Sequence, residues 1–343
     1  MGHRIGIFGA SGFAGGELIR LVDGHPNLEA ALLAGNSTAG SLLRDVHPQL
    51  SSGDRRLVSL DPIGAEGLDL VFLALPHGES GPIAMALLER GIAVADLGSD
   101  FRLDSIGRYG EAYTADHPYP EQLGTWAYGI PELFRESIVG VDRVAVPGCY
   151  PTSALLALAP LLDEDLIAAN PIIIDAMSGV SGAGRGAKSH LTFGAVDEGV
   201  SAYGLLTHRH RPEIEQGLEM VSGREATVVF TPHLVPMQRG ILSTCHAPIR
   251  SGAFAVDLRD ALEKTYASSP FVDVIDAPPQ TRWVVGSNRC LLSVRSDPRT
   301  GTAIVLSAID NLVKGAAGAA VQNMNVMMGY PETMALEFAA LYP

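Results

Sequence analysis

The opening stretch of the chain constrains the fold more than any other. His3-Arg4-Ile5-Gly6-Ile7-Phe8 reads as a strand and runs straight into Gly9-Ala10-Ser11-Gly12-Phe13-Ala14-Gly15. Leu18, Leu21 and Val22 then recur at helical spacing, and Gly24 with Pro26 supplies a stop. Such a GxxGxxG loop makes a tight strand-to-helix turn whose bare amides stand at the positive end of a helix, a seat for pyrophosphate. A glycine-rich structural turn would carry the same letters. The strand before it, the helix after it and the βαβ pattern that follows favour dinucleotide binding by Gly9, Ala10, Ser11, Gly12, Phe13, Ala14 and Gly15.

The alternation continues. A second strand ends near Gly35, a third starts at Leu68 and ends at Pro76, a helix is expected over residues 80–90, and a fourth strand starts at Ile92. Strands alternating with helices at this pitch imply a mostly parallel sheet. From Phe101 to Trp126 the pattern loosens into a Tyr- and Pro-containing excursion, and Asp142 to Val146 gives one more short strand. Beyond it, "PIIIDAMSGVSGAG", "ATVVFTPHLVP", "GILSTCHAPIR" and "TAIVLSAID" read as long strands with few helices between them, an α+β character whose sheet can support a dimer interface. The Ala/Gly-rich stretch from Asn311 reads as a helix able to lie close to another element or a ligand. At 343 residues the chain has room for two cores. The expected fold is α/β: a Rossmann-type dinucleotide-binding domain over 1–148 and 312–343, and an α+β catalytic and dimerisation domain over 149–311.

A net charge of −14 opposes nonspecific binding to nucleic acid or an anionic membrane, so an anionic ligand needs a local positive pocket. No signal-peptide pattern and no apolar run of spanning length appears, so a cytoplasmic location is expected. The three cysteines, Cys149, Cys245 and Cys290, have neither disulfide-framework nor metal-ligand spacing, and no metal site is expected.

Cys245 and Cys290 lie in apolar alternating strands, the usual place of a structural thiol. Cys149 is different, because in "AVPGCYPT" it follows a Pro-Gly turn and precedes Pro151, a residue suited to the first turn of a helix. The positive end of a helix favours thiolate, so Cys149 is the candidate nucleophile, placed at the domain change. Pro160 is expected to kink or shorten that helix.

A nucleophilic thiol needs a proton shuttle. The densest histidine cluster is Thr207-His208-Arg209-His210-Arg211-Pro212-Glu213, where two histidines and two cations suit an acid/base and an anionic substrate, although a solvated charged helix start would read the same. Arg209, Arg211 and Glu213 are therefore candidate substrate contacts. So are Arg102, after "DLGSDF", and Arg185, at the end of Ser178-Gly179-Val180-Ser181-Gly182-Ala183-Gly184, whose hydroxyls and free amides could cradle an anion. Ser178, Gly179 and Gly182 are also candidate cofactor contacts, as are Pro76 and His77 at a strand end. An NAD site usually carries an acid after the second strand, whereas this chain has Asn36-Ser37-Thr38, so Ser37 and Thr38 favour NADP. His233 reads as a satisfied strand histidine.

Together "GASGFAGGEL", "FLALPHG", "DLGSDFRL", "YGIPEL", "PGCYPT", "SGVSGAGR", "HRHRPEIEQ", "FTPHLVPMQRGI" and "NLVKGAAGAAVQNMN" resemble, in order and over nearly the whole chain, the N-acetyl-gamma-glutamyl-phosphate reductases. That family is grouped with the aspartate-semialdehyde dehydrogenases and is related in fold to glyceraldehyde-3-phosphate dehydrogenase. The resemblance implies Cys149 as nucleophile, His208 or His210 as base, and NADP surrounded by Gly9 to Gly15, Ser37 and the Asn323 region. It further implies a small acyl phosphate substrate, phosphate as co-product, a homodimer or homotetramer, and a place in arginine biosynthesis. The same chemistry on an aminoadipyl or carrier-protein-bound acyl phosphate is the nearest alternative, and an NADP-sensing regulator without catalysis is the alternative from another class. A carrier protein would call for more basic surface than this chain has, and a sensor has no use for Cys149.

Overall fold

A computed structural model describes residues 2–50, 54–250 and 253–342. The first half of the chain forms β1 (His3–Phe8), α1 (Phe13–Asp23), β2 (Leu28–Ala34), α2 (Leu43–Val46), β3 (Leu70–Leu73), α3 (Ser80–Leu88), β4 (Ala93–Asp96), α4 (Ile106–Tyr113), β5 (Ala127–Tyr128), α5 (Pro131–Ile138) and β6 (Arg143–Ala145). The rest forms α6 (Cys149–Asp163), β7 (Ile172–Ser178), α7 (Phe193–Val196), β8 (Ser201–Ala202), α8 (His210–Ser222), β9 (Val228–Leu234), β10 (Ile241–Pro248), α9 (Ala255–Tyr266), β11 (Val272–Val274), β12 (Cys290–Asp297), β13 (Thr302–Ile309) and α10 (Gly318–Met327). These elements make two compact units. One holds Met1–Ser105, His117–Pro147 and Ala316–Phe338, the other Ile106–Asp116, Gly148–Gly315 and Ala339–Pro343.

In the first unit a parallel sheet has the order β2-β1-β3-β4-β6-β5 among the described residues. A parallel sheet covered on both faces needs near-continuous apolar strands, and every residue of β3, Leu70 to Leu73, is buried. Because β1 is flanked by β2 on one side and β3 on the other, the chain reverses its direction of winding at the end of β1. That switch point is where open α/β sheets hold ligands, and the glycine loop lies there. The Ala/Gly-rich C-terminal stretch does pack closely, with all of α10 buried.

The second unit is built on a mixed sheet of order β11-β12-β13-β10-β7-β9-β8. Helix α6, apolar on nearly every side, packs against β10, β13 and α8. Along β7 burial alternates, so Ile173 and Met177 stay exposed while Ile172, Ile174 and Ala176 face the core.

Of the kink or shortening expected at Pro160, shortening does not occur: α6 continues to Asp163. Proline has no N–H to give the carbonyl of Leu156, and the Tyr266 hydroxyl of α9 donates to that carbonyl instead, at 2.7 Å. The excursion after Phe101 contains helix α4, weak by propensity because of Gly107 and Gly110, and Ile106–Asp116 belongs to the second unit rather than the first. Ion pairs Arg108–Glu219 and Arg211–Glu111 tie α4 to α8.

Candidate active site

The second unit resumes at Gly148, and Cys149 is the first residue of α6, one place further into the helix than the sequence suggests. Gly148 is the N-cap and, having no side chain, leaves the helix end uncapped, so the first-turn amides and the helix dipole favour an anionic sulfur. The other two cysteines are fully buried. Burial, then the charge of Asp175, pushes the Cys245 thiol up to about 12, which leaves it protonated and inert.

Two residues of α8 close on the turn. Glu213, buried, accepts the Gly148 N–H at 2.8 Å. His210, the first residue of α8, lays its ring against Gly148 so closely that a Cβ there would stand 2.5 Å from Nε2. The bare Gly148 therefore makes room for the imidazole next to Cys149. His208 sits differently, in an aromatic cage of Tyr150, Tyr203 and Phe230, with its Nδ1 accepting the His210 backbone N–H at 3.2 Å. Burial, then the Arg209 charge, lowers its pKa to about 4, so His208 is neutral at physiological pH. The hydroxyls of Tyr150 and Tyr203 are 2.9 Å apart, and burial raises both phenols above their ordinary value, which keeps them protonated donors beside Cys149.

In the first unit each glycine of the loop has its own reason. Gly9 has φ +84, and a Cβ there would stand 2.2 Å from the Ala74 carbonyl oxygen; a Cβ on Gly15 would stand 2.2 Å from the Gly9 oxygen. Gly12 is different, because its Cβ would meet only the Gly9 oxygen, at 3.4 Å. Packing requires the outer two glycines, and the middle one leaves open space at the start of α1 where a pyrophosphate fits. His47, which the sequence did not single out, backs the loop with Nε2 2.8 Å from the Ala10 carbonyl. Two buried atoms, Thr38 Oγ1 and Asn323 Oδ1, have no hydrogen-bond partner among the described residues, and both belong to positions expected to face a dinucleotide. Asn323 is held by Nδ2, which donates to the Gly129 and Ala319 carbonyls at 2.8 Å each. Ser37 is exposed beside Thr38. These groups fit a dinucleotide.

Past β3, Pro76 is exposed and His77 is fixed by Nδ1, 3.0 Å from both Ser99 Oγ and Asp100 Oδ1. Asp100 also accepts the N–H groups of Gly78 and Gly81. Burial would raise its pKa, but the His77 ring and those two amides outweigh it and hold the group at about 2.

Residues 4–141 match the family "Semialdehyde dehydrogenase, NAD binding domain", and residues 149–311 match "Semialdehyde dehydrogenase, dimerisation domain". An N-acetyl-gamma-glutamyl-phosphate reductase of Moorella thermoacetica is 48% identical over 99% of each chain. One from Pelotomaculum thermopropionicum is 46% identical over 100% of each. The chain belongs to the N-acetyl-gamma-glutamyl-phosphate reductase family. Its fold is shared with aspartate semialdehyde dehydrogenase II of Vibrio cholerae, complexed with ASA, at a TM-score of 0.74 and 19% identity over 96% of this chain and 99% of that one. The enzyme of Candida albicans with NADP gives 0.72 at 17% identity, with the same coverage. The chain is thus an NAD(P)-dependent oxidoreductase with an NAD binding domain of the semialdehyde dehydrogenase type. No helix among the described residues is long and apolar enough to cross a membrane, and no acidic, histidine or cysteine group among them could hold a metal.

The geometry also shows what holds the candidate substrate residues. The buried Glu213 carboxylate accepts the Gly148 amide. The Arg211 guanidinium pairs with Glu111 and, at 3.6 Å, with Glu215. Arg102 is buried in the first unit, where Nη2 donates to the Leu97 carbonyl at 2.7 Å and its charge steadies Asp96, a carboxyl that burial and then Asp100 push up to about 7. The Ser178 to Gly182 loop does not offer free amides, because those of Gly179, Val180 and Ser181 donate to the carbonyls of Gly240, Met237 and Gln238. Arg209 and Arg185 are exposed.

Proposed function

We propose that the chain reduces N-acetyl-gamma-glutamyl phosphate to N-acetylglutamate 5-semialdehyde in arginine biosynthesis, with NADPH as reductant and Cys149 as the acyl carrier. The observation that carries the reading is the convergence of Cys149, at the start of α6, with the His210 ring and the Glu213 carboxylate on the single residue Gly148. Cys149 Sγ attacks the γ-acyl carbonyl, the bond from that carbon to the phosphate oxygen breaks, and phosphate leaves a thioester. Bound NADPH supplies the hydride that reduces it. His210 gives a proton to the oxyanion of the resulting thiohemiacetal and takes it back as the C–S bond breaks, releasing aldehyde and regenerating thiolate. First-turn amides of α6 and the tyrosine hydroxyls face the developing oxyanion; such a donor is typically worth about 3 kcal/mol. His208, neutral and caged, orients the His210 main chain rather than moving protons.

Ser37 and Thr38 would hold the 2'-phosphate of the cofactor and Asn323 would help to hold its nicotinamide half, a role supported by the unpartnered buried Thr38 Oγ1 and Asn323 Oδ1, while Arg209 and Arg185 would hold the substrate phosphate and carboxylate. The second unit joins copies into a homodimer or homotetramer; Ile173, Met177 and Val229, apolar and more than a third exposed on one sheet face, support that assembly. The decisive assay is phosphate-dependent reduction of NADP with N-acetylglutamate semialdehyde, compared with its one-carbon-longer homologue and with NAD. The reading expects the shorter substrate and NADP to give the higher kcat/KM; preference for the longer one would redirect the substrate, and preference for NAD would defeat the role of Ser37 and Thr38.

A further inference from the structure

Between β13 and α10 the chain makes a π-turn, Val313–Ala317, in which the Gly315 N–H reaches back five residues to the Asp310 carbonyl at 2.9 Å. Single π-turns are rare and concentrate at functional sites. This one bears on the nucleophile. A Cβ on Gly315 would stand 2.7 Å from Cys149 Cβ, 3.2 Å from Cys149 Cα and 3.4 Å from the Asp310 oxygen. The obstructing atoms are not the tip of a flexible side chain but the root of the reacting residue, so any other amino acid must displace Cys149 or the turn that carries position 315. Gly315 does not have a positive φ, so its requirement is for space alone.

The turn is clamped from below. The carboxylate of Asp310, fully buried, accepts the N–H groups of Leu312 at 2.7 Å and Val313 at 3.1 Å through Oδ1, and that of Gly286 at 2.7 Å through Oδ2. Arg239 faces Oδ2 at 3.6 Å. Next to it, the Asn311 side chain accepts the Gly240 N–H at 2.7 Å and donates to Ser181 Oγ at 3.0 Å. A buried carboxylate with three amide donors and a guanidinium is a costly arrangement to break, and here it fixes the wide turn at the height of Cys149.

We propose that Gly315 is a positioning residue for the nucleophile: its bare Cα forms the wall that fixes the Cys149 Cα–Cβ bond, and with it the direction of the sulfur, while Asp310 holds that wall in place. The inference rests on the reading of Cys149 as nucleophile. Gly315→Ala then displaces the sulfur from its line of attack, and a misplacement of about 1 Å costs roughly 100-fold in rate.

The test measures kcat, KM for both substrates and the cofactor Kd in Gly315→Ala, beside the rate at which iodoacetamide, a small reagent that needs no fixed trajectory, alkylates Cys149. A fall in kcat of about 100-fold with cofactor Kd unchanged and alkylation within about threefold of the parent is expected. Unchanged kcat overturns the proposal, and so does a loss shared in equal proportion by kcat, cofactor binding and melting temperature, which marks a packing glycine only. If Gly315→Ala does not fold, Asp310→Asn, which keeps the volume but weakens the clamp, is read by the same criteria and decides in the same way. Cys149→Ala run in parallel separates the two ideas. An active Cys149→Ala removes the nucleophile reading itself, whereas an inactive one beside a fully active Gly315→Ala removes only the role of Gly315.

Discussion

The protein uses one backbone device twice. At the end of β1 and again after β6, a parallel strand passes through a turn into a helix whose N-cap is a bare glycine in extended conformation: Gly12 at φ −75 and ψ 172, Gly148 at φ −66 and ψ 154. Neither helix has a side-chain cap, so both present first-turn amides and a positive dipole to whatever lies in front. What differs is the surroundings. Around Gly12 almost nothing stands within reach of a Cβ, and a ligand can lie against the main chain. Around Gly148 the His210 ring and the Glu213 carboxylate have closed in, and the next residue is a cysteine. An open helix start suits an anion that arrives from outside, and a walled one suits an anion the protein makes for itself.

Substitutions can separate the two. Of the substitutions around the two turns, the largest effect is expected from His210→Asn, which removes the proposed proton carrier while leaving Gly148 unobstructed; kcat should fall by about 10²- to 10⁴-fold. A loss no greater than that of His208→Asn would show that the wrong ring has been chosen. Exchanging the glycines comes next. Gly148→Ala forces the His210 ring aside and should lower kcat by about 100-fold with the cofactor Kd unaltered. Gly12→Ala, which meets only one oxygen of its own protein, should fold normally and weaken the cofactor roughly tenfold, as expected for about 1.4 kcal/mol of lost amide contact, with Cys149 alkylation unchanged. If each variant damaged both functions equally, the two turns would not be separate sites.

Glu213 offers a smaller effect. Glu213→Gln keeps an acceptor for the Gly148 N–H and should cost less than about tenfold in kcat, whereas Glu213→Ala frees the turn and should cost more. Equal losses would mean that the charge of Glu213, not its bond to Gly148, matters.

A separate effect concerns stability rather than rate. His208 has its pKa lowered from 6.5 to about 4, so the unfolded chain takes up the proton first as pH falls. Its contribution is fully present above pH 6.5 and is lost on acidification from 6.5 through about 4, roughly 3 kcal/mol in all. Melting curves between pH 7 and 4 should fall less steeply for His208→Phe, which keeps an aromatic ring in the cage, and an identical slope would remove His208 from the account.

Much of this was legible from the chain alone, because strand alternation, the glycine loop and Pro-Gly-Cys-Tyr-Pro are local patterns with local physical meanings. The partners of Glu213, Arg211 and Arg102 were not. Each reads as a charge available for substrate, and only tertiary packing shows that a backbone amide, two carboxylates or a carbonyl engages it. The same limit explains the choice between His208 and His210, two residues apart with one in an aromatic cage and one on Gly148. Gly315 gave no signal at all, since its neighbour Cys149 is distant in sequence and a glycine in an Ala/Gly-rich helix invites no question. The Ser178 loop misleads in the other direction, because a Gly/Ser run looks free until the carbonyls of Met237 to Gly240 are seen to bond its amides.

The central claim is that Cys149 carries the acyl group. Enzyme mixed with N-acetyl-gamma-glutamyl phosphate in the absence of NADPH, quenched in acid and digested, should show the mass of one N-acetylglutamyl group on the peptide containing Cys149, and none in the Cys149→Ala variant, whose turnover should fall on the order of 10⁴-fold or more. An acyl group found on Cys245 or Cys290, or turnover that persists in Cys149→Ala, would contradict it.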